Sequence, residues 1–177
     1  ASDVYKRQNI TFAVRARFVC LRDMGSCLSP TSAFNFIQGL ETLPLRFKKH
    51  QDNAEEIARY LSKKNKVIKI NHPSMHEGIY KNRAKKYLKN GNGPLVCFEL
   101  EGGMEAGKKF IDSLKLLYHV ANIGDARTLA IHPATTTHSQ LKPDDQLKAG
   151  VTPGLIRLSV GIEHIDDIIN DIDQAIG

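Results

Sequence analysis

The chain has 177 residues, of which 41% are hydrophobic and 25% are charged, a composition typical of a globular protein with a sizeable core. No apolar run is long enough for a transmembrane helix, and the polar start from Ala1 to Gln8 is not a signal peptide. The three cysteines, Cys20, Cys27 and Cys97, fit neither a zinc site nor a CxxC redox pair, and they favour a reducing, cytoplasmic setting. Cys97 lies inside an apolar run and is predicted to pack in the core.

The net charge is +6, and twelve Lys and Arg residues fall between Lys48 and Lys89, against four acidic residues. This stretch is compatible with a nucleic-acid-binding module or with solvated helix faces. We favour solvated faces, because the chain has no RNP aromatic pair, zinc finger or GXXG loop. A nucleic-acid-binding module therefore remains only a remote alternative, and no nucleic-acid partner is expected.

A long helical stretch is predicted from Ser29 and Pro30 to about Lys64. Serine is a good N-cap, and proline suits the first helical turn. Pro44 lies inside the stretch and should kink or interrupt it.

Strands and helices alternate after this stretch. Four strands are predicted, at Val67–Ile70, Leu95–Leu100, Leu116–Val120 and Leu155–Val160. Helices are predicted at Tyr80–Leu88, at Gly107–Leu114, at Pro143–Ala149 and in a last segment with a stripe of Ile165, Ile168, Ile169, Ile172 and Ile176. Ala130–Gln140, which contains Pro133 and three consecutive threonines, is predicted to be irregular. The fold class is therefore α/β (α+β): a long N-terminal helix, then a small, mainly antiparallel sheet with helices on one face.

Arg157 is the most informative residue for function. Side chains alternate along a strand, so Ile156, Leu158 and Val160 should face the helices. Arg157 and Ser159 should face the other way. An arginine flanked by isoleucine and leucine in the middle of a strand has few solvated options, so it needs an anion, and its planar fork suits a carboxylate. From this pattern alone, the anion can be a ligand or a protein carboxylate in a structural ion pair.

Two polar loops are weaker candidates. His132 and His138 lie in a threonine-rich loop, where ordering of the loop by hydrogen bonds is favoured over catalysis, and no zinc-ligand set is present. Asn122–Thr128 contains a glycine among polar residues and could present backbone groups to a ligand.

Two stretches, IGDARTLAIHPATTTHSQ (residues 123–140) and GVTPGLIRLSVGIE (residues 150–163), resemble the pyridoxal-phosphate-dependent (PLP-dependent) Cys/Met metabolism family. Further matching segments are collinear with them: Leu21–Gly25, Gln38–Arg46 and Gly107–Leu114. The resemblance covers residues 9–177. The triple threonine and NIGDARTL are most similar to the O-acetylhomoserine sulfhydrylases of the family, with methionine γ-lyase and cystathionine γ-synthase as close alternatives.

The resemblance implies roles for individual residues. Arg157, in RLSVG, would grip the substrate α-carboxylate, and Thr128 would lie beside that carboxylate. His132 to His138 would shape the entrance and floor of the site. The lysine that binds pyridoxal phosphate would precede Asn9, so we expect no catalytic, cofactor-binding or metal-binding residue in this chain. Alone, the chain should be inactive and should not bind the cofactor covalently.

The implied reaction is γ-replacement, which makes homocysteine or methionine from O-acetylhomoserine and sulfide or methanethiol. The implied fold is the C-terminal domain of a fold-type I PLP-dependent transferase. The expected organisation is a remnant outside the family at 1–8, the end of the large domain with a connecting helix at 9–64, and the substrate-carboxylate-binding domain at 65–177. The full-length protein would be a cytoplasmic homotetramer that acts on a small amino acid, without a membrane partner.

Overall fold

The computed structural model of the protein describes residues 10–177 and divides the chain into two compact units. The first unit ends at Leu43, and the second runs from Pro44 to Gly177. The expected remnant at 1–8 lies outside the described residues. The second unit includes most of the connecting helix, which we had grouped with the preceding domain. No helix within residues 10–177 combines the length and the apolarity that a membrane crossing requires.

The described part of the first unit is helical. Helix α1 (Thr11–Arg15) continues into a π-helix (Ala16–Asp23), and helix α2 spans Pro30–Glu41. The Ser29 hydroxyl accepts a hydrogen bond from the Ser32 amide at 3.1 Å, which confirms the predicted N-cap. None of these three helices contains a buried residue.

Helix α3 spans Leu43–Leu61 and begins after a break at Thr42. Pro44 lies in its first turn, where a missing amide hydrogen costs little. The predicted interruption near Pro44 is therefore confirmed, and the single long helix is in fact two helices. Along one side α3 buries His50, Asn53, Ala54, Ile57, Ala58 and Leu61.

A five-stranded sheet forms the centre of the second unit, in the order β1-β2-β5-β4-β3. Its strands are β1 (Val67–Asn71), β2 (Leu95–Leu100), β3 (Tyr118–His119), β4 (Leu129–Ile131) and β5 (Leu155–Ser159). Three of the pairings are antiparallel, and only β3 and β4 run parallel, so the mainly antiparallel sheet is confirmed. The prediction of an irregular 130–140 segment was wrong at its start, because Ala130 and Ile131 belong to β4.

Four helices follow α3: α4 (Gly78–Tyr87), α5 (Gly103–Ser113), α6 (Pro143–Lys148) and α7 (Ile165–Ile176). Short 3-10 turns occupy Pro73–Met75 and Pro133–Thr135. Helices α3, α5 and α7 bury apolar side chains in one core, among them Ile57, Phe110 and Ile168. The strands contribute Val96, Phe98, Leu100, Ile156 and Leu158. Each of these large side chains stabilises the fold by about 1.5–3 kcal/mol.

Asp171 is a buried carboxylate on α7. Its two oxygens accept hydrogen bonds from the amides of Lys115, Leu116 and Leu117 at 2.8–2.9 Å. The side-chain amide of Gln174 donates a fourth hydrogen bond to the carboxylate at 3.0 Å. These three backbone donors follow the end of α5, so Asp171 fixes the turn that leads from α5 into β3.

We expect the isolated chain to self-associate, because the first unit exposes large apolar side chains. The exposed fractions of Phe12, Phe34 and Phe36 are 88%, 61% and 63%. Such surfaces promote association in water. Sedimentation velocity over a concentration series should show mass increasing with concentration.

Replacing all three phenylalanines by serine should reduce the association, whereas Tyr80→Ser with Tyr87→Ser, on exposed positions of α4, serves as the control. A monodisperse, cooperatively unfolding monomer at high concentration would contradict the expectation.

Candidate functional site

Arg157 lies on the face of the sheet opposite the helices. Its neighbours Ile156 and Leu158 are fully buried in the core, whereas Arg157 is half-buried. It pairs in register with Cys97 on β2 and with Ile131 on β4. The predicted alternation along β5 is therefore confirmed, and Arg157 stands at the centre of the open face.

The guanidinium of Arg157 is only partly satisfied by the protein. Its Nη2 donates to the carbonyl oxygen of Asn122 at 3.2 Å. Its Nε is buried and has no hydrogen-bond partner within the described part of the chain. None of the salt bridges formed by residues 10–177 includes Arg157. The structural ion pair that the sequence left open is thus not found among these residues.

Cys97 lies beside Arg157 on the open face and is half-buried, although we had interpreted it as buried packing. Its apolar neighbours in the sequence point to the other face, into the core. Burial raises the pKa of the Cys97 thiol, and the positive charge of Arg157 opposes this only in part. The thiol is therefore neutral near pH 7. A cavity of about 60 Å³ adjoins it, with room for a few water molecules. Its polar lining includes Lys69, Asn71, Glu99 and Thr152.

The loop 122–128 is hydrogen-bonded to β5 and to the residues that follow it. The Gly124 amide donates to the Ser159 hydroxyl at 3.2 Å. The Ile162 amide donates to the carbonyl of Ala126 at 2.9 Å. Together with the bond from Arg157 to Asn122, these contacts hold the loop against the open face of β5, beside the guanidinium.

Thr128 has a different environment from the one we expected. It is fully buried, its hydroxyl donates to Glu163 Oε2 at 2.8 Å, and the same hydroxyl accepts from the Gly161 amide at 2.9 Å. Its own amide donates to Glu163 Oε1 at 2.6 Å. A threonine hydroxyl has one hydrogen, so it has no further donor for a ligand carboxylate. By strand alternation, Thr128 also lies on the side of Ala130, which packs in the core, and not on the side of Arg157. A substrate contact by Thr128 stays a prediction that this geometry does not support.

His132 stabilises the backbone near the open face through two hydrogen bonds. Its Nδ1 bonds to the Thr135 hydroxyl at 2.8 Å and its Nε2 to the carbonyl of Pro153 at 2.7 Å. A side-chain carbon at Gly107 would lie 2.5 Å from the ring, so the glycine of α5 makes space for it. His138 is paired with the Thr137 hydroxyl at 2.8 Å. These contacts agree with the interpretation that hydrogen bonds order this loop.

The site contains groups that the sequence did not single out. The carbonyl of Asn122 and the amide of Gly124 are backbone atoms, and their partners became visible only in the folded loop. Ser159 was within reach of sequence reasoning, because it shares a face with Arg157 two residues away. Residues 10–177 contain no group of three His, Cys, Asp or Glu side chains that could hold a metal ion.

The family model described as "Cys/Met metabolism PLP-dependent enzyme" matches residues 4–177. This match includes residues 4–8, which we had expected to lie outside the family.

Among curated proteins, the chain is 50% identical over 169 residues to the O-acetyl-L-homoserine sulfhydrylase of Leptospira meyeri, covering 95% of this chain and 38% of that protein. It is 47% identical over 168 residues to the homocysteine synthase of Schizosaccharomyces pombe, covering 95% of this chain and 39% of that protein. It is 46% identical over 167 residues to O-acetyl-L-homoserine sulfhydrylase 1 of Thermus thermophilus, covering 94% of this chain and 40% of that protein.

Among solved structures, the crystal structure of a putative O-acetylhomoserine (thiol)-lyase from Campylobacter jejuni superposes with a TM-score of 0.86 at 41% identity. The match covers 96% of this chain and 41% of that one, whose structure contains a pyridoxyl-lysine phosphate. The chain thus spans about two fifths of the length of these relatives. It is a mixed α/β chain whose fold matches part of a PLP-dependent enzyme. From the family match over residues 4–177, this chain belongs to the Cys/Met metabolism PLP-dependent enzyme family.

Proposed function

We propose that this chain is the C-terminal, substrate-carboxylate-binding part of a PLP-dependent enzyme. The enzyme would make homocysteine or methionine from O-acetylhomoserine and sulfide or methanethiol by γ-replacement. The observation that carries the proposal is Arg157 itself, which lies half-buried on the open face of the sheet without a carboxylate partner among residues 10–177. The names of the relatives at 46–50% identity support the choice of substrate.

Arg157 would bind the α-carboxylate of the amino acid. Its planar guanidinium can give two parallel hydrogen bonds to a carboxylate, which sets the orientation of the substrate as well as its affinity. The Asn122 carbonyl already holds one terminal nitrogen, so the side chain is partly oriented before a ligand arrives. Such preorganisation lowers the entropy cost of binding.

The residues described here fit the substrate's anionic group, and we assign no contact with the cofactor to them. Pyridoxal phosphate, when bound in the whole protein, supplies an electron sink for bonds at the substrate α-carbon. The contribution of this chain would be positioning: Arg157 fixes the carboxylate, and through it the direction of the α C–H bond. The neutral Cys97 thiol beside it adds no competing charge.

Two further parts of the proposal concern the setting of the whole protein. We place it in the cytoplasm and as a homotetramer. The three cysteines, none of which is in a disulfide, agree with a reducing compartment. The exposed apolar side chains of the first unit agree with burial against other parts of an assembly.

The full-length protein, supplied with pyridoxal phosphate, should form homocysteine from O-acetylhomoserine and sulfide, or methionine when methanethiol replaces sulfide. Product analysis by mass spectrometry separates this from the two close alternatives. Formation of 2-oxobutanoate from methionine without added thiol would indicate a lyase, and formation of cystathionine from cysteine would indicate a cystathionine γ-synthase. Either of these as the dominant activity would contradict the proposal.

A further inference from the structure

We propose that Ser159 is a positioning residue for the carboxylate site: it holds the loop 122–128 so that the Asn122 carbonyl orients Arg157. This inference rests on the proposed function, because it assigns Arg157 a carboxylate to bind. Ser159 itself would not touch the substrate.

Arg157 and Ser159 contact the same loop at matching positions. They are two residues apart on β5 and so share its open face. Arg157 donates to the carbonyl of Asn122, and Ser159 accepts from the amide of Gly124, two residues further along the loop. The first part of the loop therefore runs alongside β5 with one bond to each of these side chains, and Ser159, at 1% exposure, is the more deeply buried of the two.

The bond to Ser159 fixes the first half of the loop. Gly124 has a φ of +83°, in the left-handed region that favours glycine, and a Cβ at this position would contact nothing within 4 Å. The second half is held independently. The Ile162 amide donates to the carbonyl of Ala126, and the carboxylate of Glu163 accepts from the amide and the hydroxyl of Thr128. In the first half, the other side-chain bond is local, from the Ile123 amide to the Asn122 side chain. Without Ser159, Arg157 would be the one partner among residues 10–177 that holds the Asn122 carbonyl in place.

Removing the hydroxyl should therefore affect the carboxylate site through the loop. In Ser159→Ala the Gly124 amide loses its partner, the Asn122 carbonyl can move, and the guanidinium becomes less well oriented. We expect binding of carboxylate ligands to weaken about three- to tenfold, the effect of one modest hydrogen bond. The KM for O-acetylhomoserine should rise by a similar factor while kcat changes by less than about twofold, because the contact is the same in ground and transition states.

The test uses the full-length enzyme with its cofactor and two inert ligands, norleucine and pentylamine, which differ only by the α-carboxylate. Binding is followed by titration of the cofactor absorbance. Ser159→Ala should weaken the binding of norleucine and leave the binding of pentylamine unchanged. Ser159→Thr, which keeps the hydroxyl, should restore norleucine binding. Ser113→Ala is the matched control, because it removes a serine hydroxyl that bonds to the carbonyl of Lys109 at the end of α5.

The inference is overturned if a folded Ser159→Ala enzyme, judged by its melting curve, binds norleucine normally, or loses norleucine and pentylamine equally. It is also overturned if Ser159→Thr behaves like Ser159→Ala. Arg157→Lys, titrated in parallel, tests the carboxylate anchor separately from the role of Ser159. If only Arg157→Lys weakens norleucine, the carboxylate anchor stands and the role of Ser159 fails; if neither variant does, both fail.

Discussion

Arg157→Lys in the full-length enzyme should lower kcat/KM with O-acetylhomoserine by about ten- to a hundredfold, while the cofactor absorbance stays intact. Lysine keeps the positive charge but loses the two-pronged donor geometry, so the loss reports orientation and not charge alone. A hydrogen bond to a charged group contributes about 1.5–3 kcal/mol, which corresponds to this range. Steady-state kinetics, read beside a melting curve, measure the effect.

The control for this experiment is Arg59→Lys, at an exposed arginine of α3 that pairs with Glu56. It makes the same chemical change away from the sheet and should leave the kinetics unchanged. If Arg157 instead pairs with a protein carboxylate in the complete protein, its replacement should mainly lower the melting temperature. An unchanged kcat/KM with a lowered Tm would rule out the anchor role.

Asp171→Asn should be among the most destabilising single changes in the second unit. The wild-type carboxylate accepts three backbone amides, and the asparagine side chain would turn an NH₂ group towards one or more of them. A buried donor without a partner costs about 1–3 kcal/mol, and the substitution leaves both the new NH₂ group and at least one backbone amide unpaired, so we expect a loss of about 3 kcal/mol in the free energy of unfolding. For a chain of this size, that corresponds to a decrease in Tm of about 6–12 °C.

Asp167→Asn is the matched control, because it neutralises an exposed carboxylate in the first turn of the same helix. Its cost should be about 0.3–1 kcal/mol, from the lost interaction with the helix dipole. Chemical denaturation of both variants gives the comparison. Equal losses for the two variants would show that Asp171 acts only through its charge on the helix and not through the turn that it caps.

The elements with strong local signals were predictable from the sequence. The alternation in β5 and the isoleucine stripe in α7 depend on burial patterns that repeat within a few residues, and Ser29 with Pro30 forms a local capping signal. The open and covered faces of the sheet followed from β5 alone, because strand alternation assigns each side chain to a face.

The short strands and the loop contacts were not predictable in the same way. Strand β4 has three residues and β3 has two, too few for a periodic pattern to be read. The hydrogen bond from the Thr128 hydroxyl to Glu163 joins residues 35 apart in sequence, and no local sequence pattern predicts it. Cys97 was misjudged because an apolar run does not tell which side of the sheet a small side chain faces.

The hydrogen bonds between the loop 122–128 and the segment 157–163 restrict insertions and deletions in both segments. Arg157, Ser159 and Glu163 each bond to a loop residue 35 positions earlier, so one constant offset relates the three contacts. Inserting or deleting a residue between these contacts in one segment alone would put the contacts on one side of the change out of register with those on the other. The two segments therefore form a single module, and a chimaera between relatives should exchange both or neither.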